Sequence, residues 1–318
     1  MDYGHSTTDK MLMTLEGKIK QEYEQASKEV EKSAQKYLAQ FEKNDKKMAA
    51  LVEAGDITKK EYTEWRTKQI LISEKWKSAR DEMTNIYMNA DKVANGLIRD
   101  SAYEAYALNH NYGTFEAETG AKLDTNYTLY SKDSVARLAK DNPDLLPPPG
   151  KRTSAAIRSG RLKRWNQQQL QSAAMQGMLQ GKSMPKIAKD IAERVGEKNS
   201  SSHIRAARTM ITSAENAGRI DSYRRAEEMG IEMQKQWMST HDGRTRHSHR
   251  ELDGETIPVD EEFSNGLMFP ADPYGLPEEV YNCRCTLVAK VIAVDGVDIS
   301  DIPDQTSEDW EEWLAEHE

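Results

Sequence analysis

Proline is missing from the first 142 residues, and cysteine from every position but 283 and 285. Two cysteines one residue apart cannot build a disulfide framework, so any core must form without such staples. No stretch of ~18 uninterrupted apolar residues exists, which excludes a bilayer-spanning helix. Asp2, His5, Asp9 and Lys10 open the chain with no apolar segment behind them, a pattern unlike a secretory leader and expected of a protein that acts in a cytosol or is packaged from one. Cations are in deficit: 44 Lys and Arg stand against 53 Asp and Glu, a formal charge of −9, so the whole molecule is not a nonspecific binder of duplex phosphates. Apolar residues reach only 37% with 4 Phe, while charged residues make up 31%. That balance disfavours one large compact core in 318 residues and points to about two domains with an elongated helical part.

What is present begins with helix. Leu12, Leu15, Ile19, Tyr23, Ala26, Val30, Ala34, Tyr37 and Phe41 recur every three or four positions, the signature of one apolar helical face. A break is expected within Asn44–Asp56, with Gly55 as the stop, and Thr58 with Glu61 forms a capping-box pattern that restarts a helix. Tyr62, Trp65, Ile72, Trp76, Met83, Tyr87, Ala90 and Leu97 continue it, and a long antiparallel hairpin over residues 1–108 is the simplest arrangement. Trp65 and Trp76 read as core between its two arms, although stripes wider than one neighbour can cover also suit an external partner.

Residues 109–130 lose the helical period, a short helical segment is expected near 134–140, and Pro143 and Pro147–Pro149 follow, so 109–153 read as an irregular, proline-rich connector. Residues 154–230 are expected to be helical again, broken near Gly181 and Pro185, with separate segments over 187–195 and 202–229. The period then changes: Ile231, Met233, Lys235 and Trp237 alternate with polar residues, and Thr286–Val294 is rich in β-branched residues, so residues 231–294 read as a small α+β domain. An acidic tail, 295–318, ends in Trp310, Trp313 and Leu314, one apolar side of a short helix that could dock on a partner. The expected fold is therefore mainly α, with a long N-terminal helical hairpin and a small α+β C-terminal domain.

Lys151, Arg152, Arg158, Arg161, Lys163 and Arg164 fall in a stretch without an acid, a possible contact for DNA or an acidic partner. Trp165 is its one aromatic, which is poor material for stacking on single strands, and a solvated linker is the plainer reading. The densest chemistry lies between Trp237 and Cys285. Two of His241, His247 and His249 together with Cys283 and Cys285 suit a zinc ion in ligand type, and completing four ligands means choosing among His247, Asp253 and water. An ion there would staple a loop-rich sheet, while the competing reading makes the thiols small buried hydrophobes. Asp242 reads as the cap of the turn at Gly243, and Arg244 as the partner of a carboxylate such as Asp253. No nucleophile with a paired base is legible, since Ser239 lacks a glycine-framed elbow, and no catalytic residue is assigned.

Trp237–Gly254, with Asp242, Arg244, Leu252 and Asp253 inside it, and the closing Asn282-Cys283-Arg284-Cys285 resemble the Mu-F-like head morphogenesis family of tailed phages. Arg208-Thr209 and Asn216-Ala217-Gly218-Arg219 precede them in the same way, and Gly55-Asp56-Ile57-Thr58, Tyr106–Gly113 and Asp141–Pro149 are similar to members from phages of Gram-positive hosts. The resemblance implies a minor head protein without enzymatic activity. It would bind the portal and meet capsid or scaffolding proteins and packaged DNA, first in the host cytoplasm and then inside the virion head, and serve head morphogenesis and DNA packaging or ejection. Some relatives carry a Cys-x-x-Cys where this chain has Arg246 and His249, which leaves His249, Cys283 and Cys285 as ligands and one position open. Two other functions compete: a zinc-dependent hydrolase or nuclease using His247, His249, Asp253 and the cysteines with Glu251 as base, and a DNA-binding protein working through Lys151–Arg164.

Overall fold

The computed structural model describes residues 2–125, 127–146, 155–298 and 306–317. The proline run 147–149 and the cations Lys151 and Arg152 lie outside the described residues. The elements in chain order are α1 (Tyr3–Ala54), α2 (Lys59–Leu71), α3 (Glu74–Ala121), α4 (Lys132–Asp141), α5 (Ala155–Leu179), α6 (Met184–Glu228), β1 (Ile231–Met238), α7 (His247–Glu251), β2 (Thr256–Pro258), α8 (Pro277–Val280), β3 (Thr286–Val294), β4 (Val297–Asp298) and α9 (Ser307–His317). The protein is mainly helical, with long N-terminal helices and one small antiparallel sheet near the C-terminus. It divides into two compact units, one of Gly17–Asn95 and Thr153–His203, the other of Met1–Glu16, Gly96–Arg152 and Ile204–Glu318.

In the helical unit the apolar stripe of α1 is buried as the spacing predicts, from Ile19 through Phe41, although Leu38 rather than Tyr37 takes the deepest place. Helix α1 stops at Gly55, whose φ of 81° a side chain would strain. Residues 44–54 are helical up to that glycine, so the expected break is confined to the turn. Thr58 caps α2 through the backbone N–H of Glu61, and the Glu61 carboxylate returns to the Thr58 N–H at 2.8 Å. Trp76 is fully buried beside Tyr37, and Trp65 stacks on Phe41 with centroids 5.7 Å apart.

The stripes are covered from within the chain. Tyr87 of α3 donates to the Ala192 carbonyl of α6 at 2.6 Å, and Asn199 of α6 donates to Asn166 of α5 at 3.0 Å. Helix α6 runs unbroken, where two helices were expected, because Gly196 serves close packing instead of a stop: a Cβ there would overlap the Ser27 hydroxyl.

In the sheet-bearing unit the strand order is β2-β1-β3-β4, all antiparallel. Trp237 pairs with Leu287 and Ile231 with Val294, and a bulge opposite Glu232 and Met233 leaves Ile292, inside β3, without a paired residue. Ile231, Met233, Lys235 and Trp237 point to one buried side, as alternation requires. The Lys235 ammonium is kept among them by the carbonyls of Val259 and Met268, both at 2.8 Å.

Two expectations are corrected here. Residues 109–121 are not a connector but the last turns of α3, and they lack a period because nearly every position is buried, polar Asn109, His110, Thr114, Glu116 and Glu118 included. The tail helix α9 is not a free docking peptide: Trp310 and Trp313 pack on Tyr112, Phe115 and Tyr127, and Trp313 Nε1 donates to Glu118 at 2.6 Å.

Candidate functional site

The site is assembled where β1 ends and β3 begins. Beyond Met238 the chain turns through 239–246 into the single-turn helix α7, which buries His249. Opposite it, the residues leading into β3 are extended, so side chains alternate: Cys283 and Cys285 share one side and Arg284 faces the other. His249 Nδ1 lies 3.6 Å from Cys283 Sγ and 3.5 Å from Cys285 Sγ, and all three residues are buried. Its other nitrogen, Nε2, meets Glu279 Oε2 of α8 at 2.9 Å, which fixes the ring with Nδ1 toward the sulfurs. The Trp237 ring stands edge-on to the imidazole with centroids 5.2 Å apart.

The two thiols are inequivalent. The hydrogen bond from Cys283 favours the thiolate of Cys285 against the cost of its burial, with a further contribution from His249, and holds its pKa well below the ordinary thiol range. Donating that bond and being buried push the Cys283 thiol up. A low-pKa sulfur beside an imidazole can take a soft metal ion or act as a nucleophile.

The remaining site residues are placed elsewhere. Neither fourth donor turns inward: His247 is exposed and 3.3 Å from Glu251, while Asp253 accepts the Ser239 N–H at 2.8 Å and lies 3.3 Å from His241. Glu251, the base of the hydrolase reading, stays with His247 at the surface, so that constellation is not assembled. Asp242 does cap its turn, accepting the Arg244 N–H at 2.8 Å, but its salt-bridge partner is Arg284, whose two terminal nitrogens reach it at 2.6 and 2.7 Å and hold its pKa far below the usual carboxylate range. Arg244 leans only weakly on Asp242, at 3.6 Å, and is not paired with Asp253, which the Ser239 backbone and His241 engage. Leu252 is core, and Gly254 has φ of 81° in the turn to β2, where its N–H donates to the Trp237 carbonyl. Arg158, Arg161, Lys163 and Arg164 lie on the first turns of α5 with exposed side chains, in the helical unit.

Sequence reading quoted Thr209, Asn216 and Arg219 only as carriers of a resemblance, and missed Thr212 and the role all four share in holding the cysteine segment in place. Thr209 accepts the Asn282 N–H at 3.1 Å, Thr212 donates to the Cys283 carbonyl at 3.0 Å, and Asn216 donates to the Cys285 carbonyl at 3.2 Å while accepting the Leu287 N–H at 2.9 Å. Arg219, fully buried, continues the line by donating to the Leu287 carbonyl at 2.6 Å. One face of α6 is thus a rail along which the backbone from Asn282 to Leu287 is fastened. Their spacing of three or four residues was the available signal, since it sets polar residues on one helical face.

Residues 168–288 match the family model for Phage Mu protein F like proteins, a stretch that takes in the rail, α7 and both cysteines. The family likeness of this chain lies in that stretch. Its curated relatives include the Minor head protein GP7 of Bacillus phage SPP1, 28% identical over 66% of this chain and 64% of that protein. Another is the NAD(+)--arginine ADP-ribosyltransferase EFV of Enterococcus faecalis (strain ATCC 700802 / V583), 29% identical over 75% of this chain and 50% of that protein. The chain therefore spans half of one relative and under two thirds of the other. No solved structure matches. The matched residues take in Arg208-Thr209, Asn216–Arg219, Trp237–Gly254 and Asn282–Cys285, and they leave out Gly55–Thr58, Tyr106–Gly113 and Asp141–Pro149. No helix among the described residues is long and apolar enough to cross a membrane.

Proposed function

We propose that this protein is a minor structural protein of a tailed-phage head, working by adhesion to the portal and the surrounding capsid or scaffolding proteins during assembly and remaining inside the head. The observation that carries this reading is the inward use of the Mu protein F like region's polar groups. Thr209, Thr212, Asn216 and Arg219 fasten backbone, Asp242 and Asp253 close turns, and His249 is enclosed with the cysteines. Such a region is a rigid body rather than a reaction cleft. The similarity to a protein named as a minor head protein supports the same conclusion.

The transferase named among the relatives does not move this reading toward an enzyme. The matched stretches cover 75% and 66% of this chain, so they must overlap over at least 41% of it, and a little over half of the part shared with the transferase is also shared with a head protein.

The test is co-expression of the tagged full chain with the portal and capsid proteins of its phage, followed by gradient sedimentation. The chain is expected to travel with portal-bearing shells and to stay behind when the portal is omitted. A chain that remains at the top of the gradient in both cases, or that transfers label from NAD to an arginine analogue, overturns the proposal.

A further inference from the structure

We propose that His249, Cys283 and Cys285 bind one zinc ion, through Nδ1 and the two Sγ atoms, as an internal staple of the sheet-bearing unit. The argument is geometric. With Zn–S near 2.3 Å and Zn–N near 2.05 Å, a tetrahedral ion sets its nitrogen and sulfur donors about 3.6 Å apart. The two Nδ1–Sγ separations are 3.6 and 3.5 Å, and the three donor atoms lie within 4.8 Å of one another.

The surroundings fit as well. A zinc-bound imidazole commonly gives its free N–H to a carboxylate, and Glu279 occupies that place at 2.9 Å from Nε2. Thr212 and Asn216 hold the carbonyls of the two cysteines, so both sulfurs are set before any ion arrives. Two thiolates and an imidazole select zinc over the hard cations magnesium and calcium.

Binding forms two Zn–S bonds and one Zn–N bond, and any proton still carried by either sulfur leaves to solvent. The group of metal-type donors stops at three among the described residues, so a water completes the shell. That water has no free base beside it, since Glu279 is engaged by His249 and by the Ser248 hydroxyl, at 3.1 Å on the same oxygen. The ion ties α7 to the entry of β3 and performs no chemistry. The inference is independent of whether the protein acts in a phage head.

The full-length chain, stripped of metal under reducing conditions, is titrated with zinc against a chromogenic chelator and separately with cobalt. The expected result is one equivalent bound, with a thiolate-to-cobalt charge-transfer band and the visible bands of a tetrahedral site. Cys283→Ser, Cys285→Ser and His249→Ala are each expected to weaken zinc binding by at least ~100-fold, and Glu279→Ala by roughly 10- to 100-fold. His247→Ala and Asp253→Asn are expected to bind as the native chain does. Should the ligand variants fail to fold, the native chain's cobalt spectrum decides alone. A native chain that shows no charge-transfer band, or that takes up zinc no better than the Cys283→Ser/Cys285→Ser double variant, overturns the proposal.

Discussion

Asp2 and Arg219 stand 217 residues apart in the chain yet form a two-pronged pair, with both terminal guanidinium nitrogens 2.6 Å from separate carboxylate oxygens. Arg219 is fully buried, and its remaining donors go to Asn109 at 3.1 Å and to the Leu287 carbonyl, while Glu116 lies 3.9 Å away. The pair therefore joins the first turn of α1 to α6, α3 and β3. Removing one member of a buried ion pair leaves a charge without compensation, which costs about 3–5 kcal/mol. Arg219→Met is expected to lose that much, because Asp2 and Glu116 are then left facing each other. Asp2→Asn is expected to lose less, about 1–3 kcal/mol, since the amide can still accept and Glu116 still neutralises the guanidinium. Urea unfolding of the two variants checks the order, and an Asp2→Asn chain less stable than Arg219→Met contradicts it.

The same corner makes stability depend on pH. Burial disfavours charge on His5, but Glu215 at 2.7 Å outweighs it and raises the imidazole pKa to about 9 from 6.5. Glu116 is pushed above its ordinary value by burial, against the pull of Arg219. Both groups hold protons more tightly in the folded chain, so the folded state binds more protons than the unfolded one and stability falls as pH rises. The His5 contribution is whole below pH 6.5 and disappears as pH climbs through about 9, a loss of roughly 3 kcal/mol at most. His5→Gln is expected to flatten that part of a stability profile, and Glu116→Gln the part beginning near pH 4.5. A native profile that is flat or rising between pH 6.5 and 9 contradicts the assignment of the proton to the His5–Glu215 pair.

How much of this was legible in the sequence follows from what each signal reports. Periodicity reports one-sided burial, so the stripe of α1 and the alternation of β1 were readable, as was the Thr58–Glu61 cap, which is local. Where α3 is buried on all sides, at 109–121, periodicity vanishes and the helix read as a connector. The gap expected between the segments 187–195 and 202–229 is helix, and the packing of Gly196 against Ser27 that goes with it is distant in sequence. In the candidate site, residue type pointed to the two cysteines and two of the nearby histidines, and the likeness to relatives with a Cys-x-x-Cys is what chose His249. Glu279, Arg284 and the rail on α6 act on partners 30 to 73 residues away; the spacing of the rail residues marks a polar helical face, but no local pattern announces what any of them holds.

The acidic tail offers a third prediction. Trp310 and Trp313 are nearly fully buried, and their rings meet Phe115 at centroid distances of 5.4 and 5.9 Å. Replacing a buried tryptophan with alanine removes its transfer energy and leaves a cavity, about 3–5 kcal/mol in similar cases. Trp310→Ala and Trp313→Ala are each expected to fall in that range, with Trp313→Ala also leaving Glu118 without the indole N–H. A thermal unfolding midpoint within a degree of the native value for both would show that α9 is not integral to the unit.

Gly218 gives the sharpest test of how α3 and α6 meet in the sheet-bearing unit. A Cβ at this position would collide with the Tyr106 carbonyl oxygen and lie 3.0 Å from the His110 nitrogen, and both are backbone atoms of α3 that no rotamer change can move aside. In an isolated helix alanine is favoured over glycine by about 1 kcal/mol, so propensity alone predicts that Gly218→Ala stabilises. Overpacking opposes it, at about 1–3 kcal/mol or more when the obstacle is rigid. The collision decides the sign, and Gly218→Ala is expected to destabilise and to loosen the neighbouring contacts of Arg219 with Asn109 and Leu287. Gly17→Ala is the control: that glycine is also in a helix, and nothing lies within 4 Å of where its Cβ would be, so the substitution is expected to be neutral or mildly stabilising. Equal effects of the two substitutions in chemical denaturation would mean that the helices pack further apart here than the glycine implies.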